Sequence, residues 1–342
     1  MSVKQEHIPV FYEGQDDLVD ILATSMASVC YNTKSFIEFY ILDCGIHELN
    51  KNMLEDLKKK FNNCSIEFIP IDLSQFAGLK GYTKGNFLDC YSRLLIPELK
   101  PNLDKAIYLD TDTIVLKDIE KLWNENLDGK SLGCIPDLGY CQVIKQRFVN
   151  ELNGDANQLY ISGGVWVANC KKWRENNITQ QLLDLAKDKK DKLCFIIEDL
   201  FSLFFKADYK LLDCRYAFIE MKHHPEEIPV EKITAKYLAD ELKNVVILHL
   251  AGVNKIWKNP YNIYTNRIHS YFNCFWYFAK MTSFYEGMQN KYIYFVSKSA
   301  VIPPKKIKIK IFDLLTVMSI KNKDNAKRYY LFGFIPLFKI KF

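Results

Sequence analysis

Residues 106–115 read Ala-Ile-Tyr-Leu-Asp-Thr-Asp-Thr-Ile-Val. A run of four apolar residues ends on one carboxylate, and a second carboxylate follows two positions later. A short apolar run of this length reads as a buried strand. The sequence upstream supplies the rest of a sheet. Residues 8–12, 36–42 and 65–69 are further strand candidates. Between them, residues 16–32 carry Leu18, Ile21, Leu22, Ser25 and Val29 at helical spacing, and residues 47–61 carry Leu49, Met53, Leu57 and Phe61. Residues 87–95 also read as helical. Strands alternating with helices imply right-handed βαβ units and a mostly parallel α/β sheet. Such sheets bind ligands at the carboxyl ends of their strands. That directs attention to residues 13–17, 110–112 and 162–164.

Four groups of residues carry chemistry. Asp110 and Asp112 place two hard oxygen ligands at a strand end, which suits Mg²⁺ or Mn²⁺ on a diphosphate. A cation there neutralises charge on a leaving nucleoside diphosphate. Residues 245–257 read VVILHLAGVNKIW, a strand that delivers His249 at its end with Gly252 and Lys255 soon after. An imidazole can complete a metal site, a glycine lets backbone approach a phosphate, and a lysine supplies positive charge. The plainer reading is a core histidine beside a loop lysine. At Ser162-Gly163-Gly164, two glycines interrupt the start of a strand, by close approach to a ligand or by a β-bulge. Glu198 and Asp199 open a strongly apolar helix, where the helix dipole alone favours acids.

Composition bounds the class. The chain has 342 residues, 49% apolar and 25% charged, enough for a sizeable core. No apolar run reaches the roughly 18–20 residues of a membrane span. The first residues lack the basic start and apolar segment of a signal peptide, so a cytoplasmic protein is expected. Ten cysteines form no Cys-x-x-Cys pair, which argues against a zinc ribbon and for small buried hydrophobes in a reducing compartment. Residues 303–342 carry a net +8 while the whole chain carries +5, which leaves −3 on the body. This tail interleaves lysines with isoleucines and aromatics, which suits an anionic membrane surface. Lysines blunting an edge hairpin are the alternative. No nucleic-acid-binding motif accompanies the charge.

Residues 91–123, YSRLLIPELKPNLDKAIYLDTDTIVLKDIEKLW, together with the glycine turn, the acidic pair and HLAGVNKIW in that order, resemble glycosyltransferase family 8. That family includes glycogenin-like enzymes and the bacterial galactosyl- and glucosyltransferases of lipopolysaccharide, and the likeness covers residues 8–262. The resemblance implies a GT-A type fold: a single Rossmann-like, mostly parallel sheet flanked by helices over residues 1–262. A helical extension (263–302) and the basic-aromatic tail (303–342) would follow. It implies a retaining enzyme that moves glucose or galactose from UDP-glucose or UDP-galactose to a saccharide or lipid-linked saccharide acceptor. Lipopolysaccharide or other surface-glycan synthesis, at the inner face of the cell membrane, is the implied setting. Asp110, Asp112 and His249 would hold Mn²⁺ or Mg²⁺. Gly252 and Lys255 would meet the diphosphate, and Arg93 and Thr111 the donor side. Ser162, Gly163 and Gly164 would lie along the donor sugar, with Glu198 and Asp199 near its anomeric carbon. Retention follows either from attack by one of those two carboxylates or from same-face attack by the acceptor.

Two departures from the family pattern stand out. The nucleoside-holding Asp-Asp-Asn-Tyr-like stretch is replaced by Tyr12-Glu-Gly-Gln-Asp16-Asp17-Leu, which leaves Glu13, Gln15, Asp16 and Asp17 as candidates. Ile197-Glu198-Asp199 stands where many members have Asp-Gln-Asp. Two other readings compete. A haloacid-dehalogenase-like phosphatase would use Asp110-Thr-Asp112-Thr-Ile, but its motif follows a first strand, not a fourth. A non-catalytic module would bind nucleotide sugars without turnover. A Rossmann dehydrogenase lacks its Gly-x-Gly-x-x-Gly after the first strand.

Overall fold

The computed structural model describes residues 6–82, 87–137, 142–219, 244–252, 255–262, 267–268, 271–299, 306–311, 315–323, 326–331 and 335–341. Cys141, Val253 and the first three tail residues, 303–305, lie outside them. The chain forms two compact units, residues 1–256 with 260–288, and residues 257–259 with 289–342.

In the first unit the strands are β1 (His7–Gly14), β2 (Phe36–Asp43), β3 (Cys64–Pro70), β4 (Ala106–Leu109), β5 (Thr113–Val115), β6 (Leu132–Pro136), β7 (Ile161–Ala168), β8 (Tyr209–Leu211), β9 (Phe218–Ile219), β10 (Ile247–His249), β11 (Tyr261–Asn262) and β12 (Arg267–Ile268). The helices are α1 (Val19–Asn32), α2 (Glu48–Glu55), α3 (Leu57–Lys60), α4 (Ile96–Leu99), α5 (Glu120–Trp123), α6 (Gln142–Leu152), α7 (Cys170–Glu175), α8 (Ile178–Lys189), α9 (Ile196–Phe205), α10 (Phe272–Ala279) and the start of α11 (Tyr285–Ser299). The central sheet has seven strands in the order β3-β2-β1-β4-β7-β6-β8. β3, β2, β1 and β4 run parallel, β7 is antiparallel to both its neighbours, and β6 and β8 are parallel. The mostly parallel α/β sheet expected from the sequence is therefore present. A smaller sheet, β5-β10-β9, continues from the turn after β4.

β4 is buried at all four positions because both its flanks are covered strands, β1 and β7. Two helical expectations need correction. Residues 47–61 form α2 and α3, which meet at Asp56, not one helix. Residues 89–95 form a 3₁₀ helix that leads into α4, whose first turn tolerates Pro97. A third difference concerns α1. The sequence marks a one-sided stripe, yet every residue of α1 from Val19 to Cys30 is buried. Its polar positions are satisfied inside the protein: Ser28 Oγ accepts from Val115 N at 2.8 Å and Asn32 Nδ2 donates to the Val115 carbonyl at 2.9 Å. On another side, Tyr31 packs edge-on against Tyr277 and Phe278 of α10.

Beneath the sheet, Trp166 of β7 stacks on Tyr108 of β4 and on Trp173 of α7, at 5.0 and 6.0 Å between ring centroids, and meets Phe201 of α9 edge-on. These rings are all fully buried. Truncating one to alanine costs about 3–5 kcal/mol by the usual large-to-small penalty. The cluster locks α9, which carries the acidic pair, onto the strand that carries the two glycines.

In the second unit, β13 (Lys306–Ile311), β14 (Leu315–Lys323), β15 (Ala326–Leu331) and β16 (Ile335–Lys341) form an antiparallel meander in sequential order. No described helix is long and apolar enough to cross a membrane.

Candidate metal and nucleotide-sugar site

The turn after β4 is built by backbone. Asp110 N donates to the Gly164 carbonyl of β7 at 2.8 Å, and Thr113 N donates back to the Asp110 carbonyl at 3.1 Å. β5 then runs antiparallel to β10 with His249 opposite Thr113, and Leu250 N donates to the Asp112 carbonyl at 2.8 Å. This register brings residues more than a hundred positions apart to one point. Asp110, Asp112 and His249 each offer a ligand atom, all within 4.8 Å of one another. His249 Nε2 lies 3.2 Å from Asp112 Oδ1 and 3.4 Å from Asp110 Oδ2.

A chain of hydroxyls holds the turn from below. Thr113 Oγ1 donates to the Asp110 carbonyl at 2.8 Å, Ser25 Oγ of α1 is 3.0 Å from Thr113 Oγ1, and Tyr12 OH of β1 is 2.8 Å from Ser25 Oγ. Each hydroxyl has one proton, so Tyr12 donates to Ser25 and Ser25 to Thr113.

The electrostatics fit a cation. Burial alone would raise Asp110, but Arg93 and His249 outweigh it and hold its carboxyl below the ordinary range. Burial is likewise overcome at Asp112 by Lys255 and His249, and its carboxyl stays ionised. Burial would depress His249, yet the carboxylates of Asp112 and Asp110 push it up to about 10. Two carboxylates and an imidazole make a mixed O/N donor set of the kind that takes Mn²⁺ or Mg²⁺. The space around them is equally specific. A Cβ added to Gly164 would sit 2.2 Å from His249 Cε1 and 2.8 Å from Asp110 Oδ2. Only a glycine lets β7 pass under the cluster.

Arg93 sits beside the metal candidates. It is 8% exposed, and its guanidinium lies over the Tyr108 ring at 4.5 Å. Nη1 donates to Asp110 Oδ1 at 2.9 Å and to the Gly163 carbonyl at 3.2 Å, while Nη2 donates to Glu13 Oε2 at 2.7 Å. Tyr108 OH donates to the same Asp110 oxygen at 2.8 Å. Burial drives the Glu13 carboxyl up to about 8, against the pull of Arg93. Thr111 joins Glu13, Gln15, Arg93 and Asp110 in lining a small cleft. Of the other acids after β1, Asp16 accepts from His47 N and Asn50 Nδ2 at 2.8 and 2.7 Å, which ties it to the start of α2. Gln15, Asp16 and Asp17 border a cavity of about 460 Å³ with Leu73, Phe87, Leu88 and Asp89.

On the other side, Lys255 Nζ donates to Asp112 Oδ2 at 2.5 Å and to the Leu250 carbonyl at 3.0 Å. Gly252 adopts a φ of 95°, which favours glycine. The bulge reading of the glycine pair holds. β7 keeps regular pairing with β4 through Leu109–Val165, but its register with β6 shifts between Cys134–Trp166 and Pro136–Ile161, a bulge spanning residues 162–165. Ser162 is buried within it.

The acidic pair divides. Glu198 faces the cluster: a Cβ on Gly163 would be 3.1 Å from its Oε1, and Tyr82 OH donates to its Oε2 at 2.7 Å. Burial and repulsion by Asp137 raise its carboxyl to about 7, against the Tyr82 hydrogen bond. Asp199 is fully buried. Its Oδ1 accepts from Arg147 Nη2 and from Tyr160 OH, and its Oδ2 accepts from Cys194 N and Phe195 N. The structure thus brings Arg93, Thr111, Glu198, Lys255 and the glycines around Asp110, Asp112 and His249, and it does not bring Asp199 there. Sequence reading missed Tyr82, Tyr108 and Arg147. Tyr82 and Arg147 carry no local signal, and only the fold puts them beside a carboxylate, whereas Tyr108 stands two residues before Asp110 on the same strand.

The family description "Glycosyl transferase family 8" matches residues 9–260. General stress protein A of Bacillus subtilis is 25% identical over 241 residues, covering 66% of this chain and 79% of that protein. Among solved structures, the galactosyltransferase LgtC in complex with donor and acceptor sugar analogues superposes with a TM-score of 0.68 at 22% identity, covering 82% of this chain and 100% of that one. The bifunctional glycosyltransferase WbbM superposes at 0.70 with 19% identity, covering 86% of this chain and 53% of that one. The architecture is thus the GT-A fold that the resemblance implied. The matched span includes every residue of the cluster, and the chain belongs to glycosyltransferase family 8.

Proposed function

We propose that this protein is a retaining hexosyltransferase that moves glucose or galactose from a UDP-sugar to a saccharide acceptor in surface-glycan synthesis, lipopolysaccharide included. The observation that carries the proposal is the convergence of Asp110, Asp112 and His249 at the carboxyl end of β4 in a chain of this family. These three residues would hold Mn²⁺ or Mg²⁺, which, when bound, neutralises the diphosphate as it leaves. The complex of LgtC with donor and acceptor sugar analogues supports a nucleotide-sugar donor and a saccharide acceptor. Nine described cysteines are free thiols, which fits action in the cytoplasm.

The roles of the chain's own residues follow from their contacts. Lys255, paired with Asp112, would supply positive charge to the diphosphate, beside backbone that Gly252 opens. Arg93 orients Asp110 and Glu13 on the donor side. Thr111 contributes to the same wall. Ser162, Gly163 and Gly164 would lie along the donor sugar, on a bulged strand whose glycines let Glu198, His249 and Asp110 close onto its backbone. Glu198 is the carboxylate that faces the reacting carbon, and its raised pKa suits it to exchange a proton near neutral pH. Asp199 is a positioning residue that fixes the entry to α9 through four donors. Tyr82, hydrogen-bonded to Glu198, sets the direction of that carboxylate.

Calorimetry with UDP, UDP-glucose, UDP-galactose and UDP-N-acetylglucosamine, each with Mn²⁺ and with EDTA, tests the reading. Cation-dependent binding that ranks one UDP-hexose first is expected. Binding of none of them sinks the proposal. Binding of UDP-sugars without release of UDP to any acceptor or to water favours the non-catalytic alternative.

A further inference from the structure

Trp123 closes the stretch of sequence that carries the Asp110–Asp112 turn, yet it lies apart from the cluster which that turn builds. It ends α5 and lines a cleft of about 440 Å³ with Asp104, Lys105, Asn124, Glu125 and Asn126. Small-molecule sites enclose about 300–1,000 Å³. Lys105 precedes β4 and Asp110 follows it, so this wall of the cleft is roughly 16 Å of strand away from the metal candidates.

The indole is fixed before any ligand arrives. Trp123 Nε1 donates to Glu6 Oε1 at 2.7 Å, and Lys105 Nζ sits 5.0 Å from the ring centroid. The side chain nonetheless stays only half-buried. The polar groups around it divide into engaged and unengaged. Lys105 donates to the carbonyls of Trp123 and Glu125, and Glu125 Oε1 accepts from Tyr216 OH at 3.1 Å. Asn126 Oδ1 accepts from Asp128 N at 2.9 Å, which leaves its Nδ2 protons unused. The carboxamide of Asn124 has no hydrogen-bond partner among the described residues. Asp104 is mostly exposed and meets Arg174 Nη2 at the long distance of 3.5 Å.

We propose that this cleft is a second ligand site, one that takes the pyranose ring of a neutral saccharide. A pyranose carries hydroxyls around its rim, each both donor and acceptor, and C–H groups on its faces. A fixed indole receives the C–H face, while carboxamides and a carboxylate receive the hydroxyls. Asp104 and Glu125 repel a phosphate or a sugar acid, and the lysine that would answer such a charge is held by two carbonyls. An apolar ligand would strand the polar groups of Asn124 and Asn126 without water. The proposal goes beyond the transferase reading and does not rest on it.

The test is a titration followed in the proton–nitrogen spectrum of the indole groups, on the full chain with EDTA and without nucleotide. Trp123→Phe identifies the Trp123 signal among those of the five tryptophans. Glucose, galactose, maltose and lactose are the probes, with inorganic phosphate as the charged counterpart. A saturable shift of the Trp123 signal with at least one saccharide, and none with phosphate, is expected. Asn124→Ala should weaken that binding by about 5–10-fold, as the loss of a hydrogen bond or two implies. Its Mn²⁺-dependent UDP binding should equal that of the unaltered chain. Asp104→Ala reads the other wall, with a loss of the same order, if Asn124→Ala melts early. A Trp123 signal that no saccharide moves, or that phosphate moves, would overturn the proposal. So would saccharide affinity equal to the parent's in both variants, or a saccharide that shifts other indole signals and leaves that of Trp123 in place.

Discussion

The chain presents two pairs of acids that look alike in sequence and behave differently in the fold. Asp110 and Asp112 stand two residues apart in a turn at a strand end, and both carboxylates reach the same imidazole. Glu198 and Asp199 are neighbours in the first turn of α9, where successive residues are about 100° apart around the axis. One consequently faces the cluster, and the other enters the core among Arg147, Tyr160 and two backbone amides. Asp199, fully buried with one oxygen held by two backbone amides and the other by Arg147 and Tyr160, holds structure. A carboxylate that shares a cleft with like charges is available for a cation or a substrate.

The largest effect that tests this contrast is Asp112→Asn. Calorimetry should show Mn²⁺-dependent UDP binding weakened by about 10³-fold, because one hard ligand is lost. Undiminished, cation-dependent binding would remove Asp112 from the site. Asp199→Asn should act on the other axis. Its amide turns a donor toward two of the four donors and strips Arg147 of its counter-ion, which costs about 3 kcal/mol of stability in urea unfolding. A variant as stable as the parent would break the comparison.

Glu198→Gln sharpens it through pH. The folded carboxyl titrates near 7 against an ordinary 4.5, so the folded state binds the proton more tightly than the unfolded chain. Stability carried by that proton is complete below pH 4.5 and drains away as pH rises to 7. The glutamine variant should therefore match the parent in acid and exceed it by roughly 2 kcal/mol at pH 8, while its kcat falls by about 10²-fold. Equal stability of the two at both pH values would contradict the raised pKa. The smallest effect is expected for Ser25→Ala, which opens the hydroxyl chain between Tyr12 and Thr113. A loss of about 1 kcal/mol follows from the broken hydrogen bonds. No change in either stability or cation affinity would show that this chain does not hold the turn.

Much of the site was legible along the chain because its signals are local. The four apolar residues before Asp110, and those before His249, mark strands whose ends carry the metal candidates. The glycines of β7 flag a strand that something approaches closely. Arg93 was legible by resemblance, but its partners were not: Glu13 and Asp110 lie 80 and 17 residues away, and only the adjacency of β1 and β4 joins them. The one-sided stripe on α1 misled, because periodicity reports a face that packs on a sheet and is blind to a second layer. α10 supplies that layer from about 250 residues downstream.

By itself the sequence determined the order of strands and helices, the mostly parallel sheet and the strand ends that carry the metal candidates, since side-chain period and turn chemistry act within a few residues. Tertiary structure alone decided that Gly164 passes beneath the metal candidates, that Glu198 and not Asp199 faces them, and that Tyr82 and Arg147 hold the two carboxylates apart. Those outcomes depend on strand register and helix rotation, which are set by the packing of β4, β7 and α9 around Trp166 and not by any local run of residues.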